Sequence, residues 1–155
     1  MKKLIEYIDK NIQVLQKALE LDNKKWYEQL SIEKILEQKD IKLEFEKNKT
    51  YLVIYEGNPI ITKILLERAI QTASNLIFTV DDYYLATNTI LVGIANKLIK
   101  ENDIKSFLKI YNNIEENKIF ENTNEVDATI FIGDKEDFAY IEAHVKGDLI
   151  KIEYI

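Results

Sequence analysis

Cysteine is absent from the 155 residues of this chain, which removes disulfides, thiolate metal sites and cysteine nucleophiles together. Glycine occurs four times and proline once. No Pro/Gly-rich linker therefore divides the chain, and its length suits one hydrophobic core rather than two. The one histidine, His144, has no cysteine or nearby serine to work with and offers no catalytic triad; it reads as a surface or boundary residue. Long apolar runs are missing as well. No segment approaches the length of a membrane span. Met1-Lys2-Lys3 leads directly into alternating polar and apolar residues, without the continuous apolar stretch of a signal peptide. These absences predict a cytoplasmic protein without membrane contact. A net charge of −6 with no cluster of basic residues to offset it disfavours a nucleic acid partner. There is also no phosphate loop, Gly-x-Gly-x-x-Gly turn, zinc motif, nucleophile elbow or calcium loop, so motifs predict neither a metal site nor a cofactor.

What is present is apolar and periodic. Hydrophobic residues make up 46% of the chain, with charged residues interspersed, a composition that folds rather than one that stays disordered. The organising stretch runs from Tyr51 to Val80. Tyr51-Leu52-Val53-Ile54-Tyr55 and Leu76-Ile77-Phe78-Thr79-Val80 are near-continuous runs of β-branched and aromatic residues, which suits strands buried on both faces of a parallel sheet. Between them Ile60, Ile61, Ile64, Leu65, Ala69 and Ile70 recur at helical spacing, while Lys63, Glu67, Arg68 and Gln71 fill the remaining positions. Gly57, Asn58 and Pro59 make the turn. Asn58 reads as the N-cap and Pro59 as the first helical residue, where the missing N–H of proline costs nothing. The stretch is one βαβ unit.

The flanks extend this pattern. Leu4, Ile5, Ile8, Ile12, Leu15 and Leu19 predict one helix of about five turns. A second helical piece is expected to start near Asp22 or Asn23 and to carry Trp26, Tyr27 and Leu30, and Ser31 to cap a short third one. Ile41, Leu43 and Phe45 alternate with Lys42, Glu44 and Glu46, the pattern of a half-exposed edge strand. After Val80, Asp81 or Asp82 can cap a long helix with Leu85, Leu91, Ile94 and Leu98 on its apolar stripe. Ser106 to Tyr111 reads as a third inner strand or a short helix, and Glu115 to Asn122 as a short polar helix. Ala128 to Ile132 is a buried strand ending in Gly133. Asp134 and Asp137 suggest a capping box, opening a helix with Phe138, Ile141 and Val145 that Gly147 stops. Leu149 to Ile155 forms a last strand. Alternating strands and helices predict a three-layer, Rossmann-like α/β fold: a mostly parallel sheet with helices on both faces, preceded by N-terminal helices. The expected organisation is a single domain over residues 1–155, with a helical segment over 1–38 and the α/β core over 39–155.

Three segments carry a family resemblance. Ile54-Tyr55-Glu56-Gly57-Asn58-Pro59-Ile60-Ile61-Thr62 resembles the Ile-Tyr-Glu-x-x-Pro-x-x-Thr turn of gamma-glutamyl phosphate reductases, members of the aldehyde dehydrogenase superfamily. Val126-Asp127-Ala128-Thr129-Ile130-Phe131-Ile132-Gly133-Asp134 is similar to that superfamily's Val-Asp-x-Ile-x-Phe-Thr-Gly-Ser segment, which ends a strand at the cofactor pyrophosphate. Ala73-Ser74-Asn75-Leu76-Ile77-Phe78 falls where the family has Ala-Gly-Asn-x-Val-x-Leu. The likeness spans Thr50 to Tyr154 and implies a cofactor-binding domain without its catalytic domain. It also implies what is missing. The family's cysteine nucleophile has no counterpart here. Asp134 replaces the serine after glycine, and Thr79, followed by Asp81 and Asp82, stands where the family has a lysine near the adenine ribose. A carboxylate at Asp134 is expected to take the backbone donors that would otherwise bind phosphate.

The candidate crevice lies outside the carboxyl ends of the strands, where open α/β sheets bind ligands. Its residues are Glu56, Gly57, Asn58, Asp82, Gly133 and Asp134. Asn58 aligns with an asparagine that stabilises an oxyanion in many aldehyde dehydrogenases, although a helix cap explains it more simply. Asp81, Asp82, Asp134, Glu136 and Asp137 form an acidic pocket for a divalent cation or an amine if their strands are neighbours; helix capping accounts for them more simply. Tyr51, Tyr55, Tyr83, Tyr84, Phe138 and Tyr140 fall near strand or helix starts, where they can stack on a ligand or face a partner, although core or rim packing explains most of them more simply. The leading expectation is a non-enzymatic binding or assembly module on a degenerate nucleotide-binding fold, its N-terminal helices covering a sheet edge or forming a homodimer contact. The alternatives are a small-ligand or nucleotide-binding protein, or minimal enzyme, using the crevice, and an acidic interaction or inhibitor protein.

Overall fold

The computed structural model describes residues 3–26, 29–112, 120–121 and 123–153. Within them β1 (Thr50–Ile54), β2 (Asn75–Val80), β3 (Leu108–Asn112), β4 (Ala128–Gly133) and β5 (Leu149–Glu153) form one five-stranded sheet in the order β3-β2-β1-β4-β5. Every pairing is parallel. β1 is central: Val53 lies beside Phe78 on one side and Ile130 on the other. Helices α1 (Leu4–Lys10), α2 (Ile12–Lys25) and α3 (Ile32–Ile35) precede the sheet, and α4 (Pro59–Thr72), α5 (Leu85–Glu101) and α6 (Phe138–His144) follow β1, β2 and β4. The fold is Rossmann-like α/β.

Topology decides which face each helix covers. The steps from β1 to β2 to β3 move one way across the sheet and the step from β4 to β5 moves the other, so right-handed crossovers put α4 and α5 on one face and α6 on the opposite one. The alternation of side chains agrees. Tyr51, Val53, Leu76, Phe78, Ile130 and Ile132 join one large core with Leu65, Leu91 and Leu98, whereas Leu52, Ile54 and Phe131 join a small one with Ile141. α1 and α2 pack against α5, and α3 packs against α4.

Local chemistry explains most of the boundaries. Asn58 Oδ1 accepts from the Ile60 amide at 3.0 Å and Pro59 is the first helical residue, so the sequence reading of this turn holds. α4 ends at Ala73 in the left-handed conformation (φ 52°), where the Ser74 amide donates back to the Ala69 carbonyl. Ser31 caps α3, accepting from the Lys34 amide.

Elsewhere the chain departs from expectation. The single N-terminal helix is broken at Asn11, whose Nδ2 donates to the Tyr7 carbonyl and whose φ and ψ of −114° and 21° are not helical. Asp22 and Asn23 lie inside α2 instead of opening another helix, and Trp26 is its extended C-cap residue; Tyr27 lies outside the described residues. The expected edge strand at residues 41–46 is absent from the sheet. Leu43 and Phe45 are buried as their alternation predicts, yet the Arg68 guanidinium takes the carbonyls of Ile41 and Leu43, and the Tyr51 hydroxyl accepts from the Glu46 amide. Side chains hold these groups and the Leu43 amide donates to the Ile41 carbonyl, bonds that take the place of a strand partner there. Neither Asp81 nor Asp82 caps α5 with its side chain. Tyr84 precedes the helix in the left-handed conformation (φ 50°), and the helix's amide at Thr87 donates to Asp22 Oδ2 on α2. β3 is an edge strand rather than an inner one. Asp134 and Asp137 form no capping box: a 3-10 turn over Lys135–Asp137 leads into α6, closed by the Asp137 amide donating to the Asp134 carbonyl. α6 ends at His144, so Gly147 (φ 88°) turns the chain toward β5 without capping the helix. The helix expected over Glu115 to Asn122 falls mostly, and Tyr154 and Ile155 fall entirely, outside the described residues. The N-terminal helices pack mainly on other helices, α1 and α2 on α5 and α3 on α4.

Candidate functional site

The strand order reverses at β1. From it the chain runs outward through β2 to β3, then resumes on its other side with β4. The connections leaving β1 and β4 thus pass to opposite faces, which opens a crevice between them at the carboxyl ends of the strands. A cleft of about 410 Å3 lies there. Its base is formed by the ends of β1, β2 and β4, and its outer wall by Phe120 and by Tyr140 and Ile141 of α6.

Glu56, Gly133 and Asp134 line this cleft, as expected of residues just beyond strand ends. Gly57, Asn58 and Asp82 do not. Gly57 is buried in the turn, with φ at 111° and its carbonyl accepting from Asn88 Nδ2 at 2.6 Å. Asn58 serves as the cap of α4. Asp82 points toward the N-terminal helices and β3, 3.7 Å from Lys25 Nζ and accepting from Asn112 Nδ2 at 3.1 Å. Asp81 lines the cleft in its place. β2 and β4 are not neighbours; β1 separates them. Asp81, Asp134 and Asp137 nevertheless flank one opening, while Asp82 and Glu136 lie outside it. Among the described residues no three of His, Asp and Glu are grouped to hold a metal ion.

The aromatic residues sort in the same way. Tyr140 lines the cleft and belongs to a cluster in which its ring lies 4.2 Å from that of His144 and 6.1 Å from that of Phe120. His144 is exposed, its ring tilted 36° against that of Tyr140, with Nδ1 at 2.8 Å from the Tyr140 carbonyl. Phe131 crosses the floor, its ring 5.9 Å from Phe138. Gly133 permits this, because a Cβ there would fall 2.5 Å from the Phe131 ring. Tyr83 and Tyr84 turn inward: Tyr84 is fully buried and donates to Asn23 Oδ1 at 2.5 Å, and Tyr83 packs edge-on against Trp26 at 5.2 Å.

A buried polar chain holds the turn beside the cleft. The Tyr55 and Thr62 hydroxyls are 2.5 Å apart, Thr62 Oγ1 donates to Asn88 Oδ1 at 2.7 Å, and Asn88 in turn holds the Gly57 carbonyl. It ties the β1 to α4 turn to α5. Burial pushes the Tyr55 phenol well above its ordinary 10.0, and its hydrogen bond with Thr62 only partly offsets this. The native state therefore keeps the Tyr55 proton at pH values where the unfolded chain loses it. Stability from this group is complete below about pH 10 and is lost as pH rises beyond it. Tyr55→Phe is expected to flatten that alkaline decline in urea melts; parallel curves for the two proteins would show that Tyr55 ionises freely.

The dinucleotide implied by the aldehyde dehydrogenase resemblance does not fit these residues. Glu56, Asp81, Asp134 and Asp137 place four carboxylates around the cleft, and its described lining residues include no lysine, arginine or histidine. Asp134 is exposed and makes no side-chain cap bond, so its charge is not absorbed by the turn that follows. A phosphate within about 5 Å of one such carboxylate is repelled by roughly 1 to 3 kcal/mol for effective dielectric constants of about 80 to 20. Asp81, Asp134 and Asp137 alone set three such repulsions against what one short helix can attract. No helix among the described residues is long and apolar enough to cross a membrane.

Fold and cleft together define a Rossmann-like α/β protein with an acidic, aromatic-walled crevice at its switch point. No protein-family model matches the chain, and no curated protein matches it.

Proposed function

We propose that this chain is a non-enzymatic, cytoplasmic binding module, built on a degenerate nucleotide-binding fold of the aldehyde dehydrogenase type, whose cleft takes a small neutral or cationic molecule. The observation that carries this reading is the charge of the lining: four carboxylates and no basic group among the described residues, at the position where α/β sheets bind ligands. Phe120, Phe131 and Tyr140 supply apolar and π surface beside those carboxylates, a combination that suits an organic ammonium better than a phosphate.

Spermidine and NAD, added separately at matched ionic strength, test the proposal. Spermidine is expected to raise the melting temperature and to shift the amide resonances of Gly133 and Asp134. Asp134→Asn combined with Asp137→Asn should weaken its binding by roughly three- to thirtyfold, the loss of two exposed charge pairs. A soaked crystal with NAD lying across Gly133 and Asp134 would refute the reading, and so would an amine effect unchanged in the double variant.

A further inference from the structure

Lys63 is the one lysine among the described residues that is fully buried, at 2% exposure. It sits on α4, where its ammonium meets Glu67 Oε1 one turn later at 2.6 Å. An ammonium carries three donors. Among the described residues Glu67 is the only partner for them, which leaves two donors that burial makes costly to leave unmet.

Space adjoins the Lys63 side chain. Two cavities of about 320 and 340 Å3 lie against the Lys63 and Glu67 pair, and both are also lined by Gln38 and Gln71. One is completed by Lys39, Asp40 and Arg68, the other by Lys3 together with apolar residues of α1 and α4. Three cations against two anions line the first and two against one line the second, a formal +1 in each. The cleft at the strand ends, with four carboxylates, stands at the opposite sign. In a chain of net charge −6, a trough of positive formal charge favours an anion over a cation. Arg68 is already committed to Asp40 and to the carbonyls of Ile41 and Leu43. It fixes the wall of the trough and leaves Lys63 as the donor inside it.

We propose that this trough is a binding site for a small oxyanion, a phosphate or a carboxylate, held by the two remaining donors of Lys63 and by the side-chain amides of Gln38 and Gln71. An oxyanion presents several acceptors on one compact group, and charge-assisted bonds to a desolvated ammonium are the stronger kind. The site is separate from the strand-end cleft and does not depend on what that cleft binds.

Inorganic phosphate and acetate, each titrated into the full chain against chloride at constant ionic strength, provide the test. One or both should raise the melting temperature and shift the side-chain amide resonances of Gln38 and Gln71. Lys63→Met should weaken the effective anion by about tenfold or more. Because that variant leaves Glu67 without its partner, Gln71→Glu, at an exposed position, repeats the test by placing a carboxylate at the rim; it should abolish the shift, whereas Asp134→Asn should not. Indifference to both anions, or a phosphate effect that survives Gln71→Glu, would mean that only water solvates Lys63, and the assignment would fall.

Discussion

Asp22→Ala is expected to cost about 2 to 4 kcal/mol of stability, as large a loss as any single polar substitution in this chain. Asp22 is 6% exposed, and one of its oxygens accepts from both the Thr87 amide at 2.7 Å and the Thr87 hydroxyl at 2.6 Å. α5 begins with no side-chain cap of its own, so this carboxylate from α2 does the work of an N-cap on another helix and also complements its dipole. Alanine would leave a buried amide and a buried hydroxyl without acceptors, at roughly 1 to 3 kcal/mol each before relaxation. Urea denaturation of Asp22→Ala and Asp22→Asn measures the effect. Asparagine keeps one oxygen for the Thr87 amide and should lose about half as much. Since the pair is buried, the loss should barely change with salt; a difference that vanishes in high salt would show that Asp22 faces solvent.

Gly57→Ala should be comparably damaging, with a loss of at least about 3 kcal/mol. Two effects combine. Gly57 has φ at 111°, which side chains rarely tolerate, and a Cβ there would meet the Tyr83 carbonyl oxygen at 2.7 Å and Asn88 Nδ2 at 3.3 Å. The first of these neighbours is backbone in the turn before α5, so relief requires moving the turn and breaking the bond from Asn88 to the Gly57 carbonyl. Gly93 supplies the control. It lies within α5 with nothing within 4 Å of its would-be Cβ, so Gly93→Ala should stabilise by up to about 1 kcal/mol. Equal effects of the two substitutions in chemical denaturation would refute the account of the turn.

What the sequence made legible were features whose cause is local. The apolar runs of β1, β2 and β4, the Asn58 and Pro59 start of α4 and the Ser31 cap each depend on residues a few positions apart. What it hid were partners far along the chain. The cap of α5 comes from a residue 65 positions earlier, so the nearer Asp81 and Asp82 took its place in the reading. Alternation at residues 41–46 reported burial of Leu43 and Phe45 correctly, but burial is a property of side chains and pairing a property of the backbone, which Arg68 occupies. A continuous apolar stripe likewise concealed the break at Asn11. For the cleft, the strand-end rule located Glu56, Gly133 and Asp134. It misassigned Asp82, because adjacent residues beyond a strand point in opposite directions and Asp81 faces the opening. Tyr140 lines the cleft as its place near a helix start suggested, whereas Phe120, far from any strand end, carries no signature in the sequence.

The two sides of the sheet bear unequal loads. One carries α4, α5 and the helices stacked on them, with Leu65, Leu66, Leu91 and Leu98 wholly shielded, each contributing about 1.5 to 3 kcal/mol. The other, among the described residues, carries a seven-residue helix with Ile141 as its one buried anchor. α6 is therefore expected to open at a lower free energy than α4 or α5. A guest held between Asp134 and Tyr140 would act as a clasp, fastening the lightest part of the structure to the heaviest.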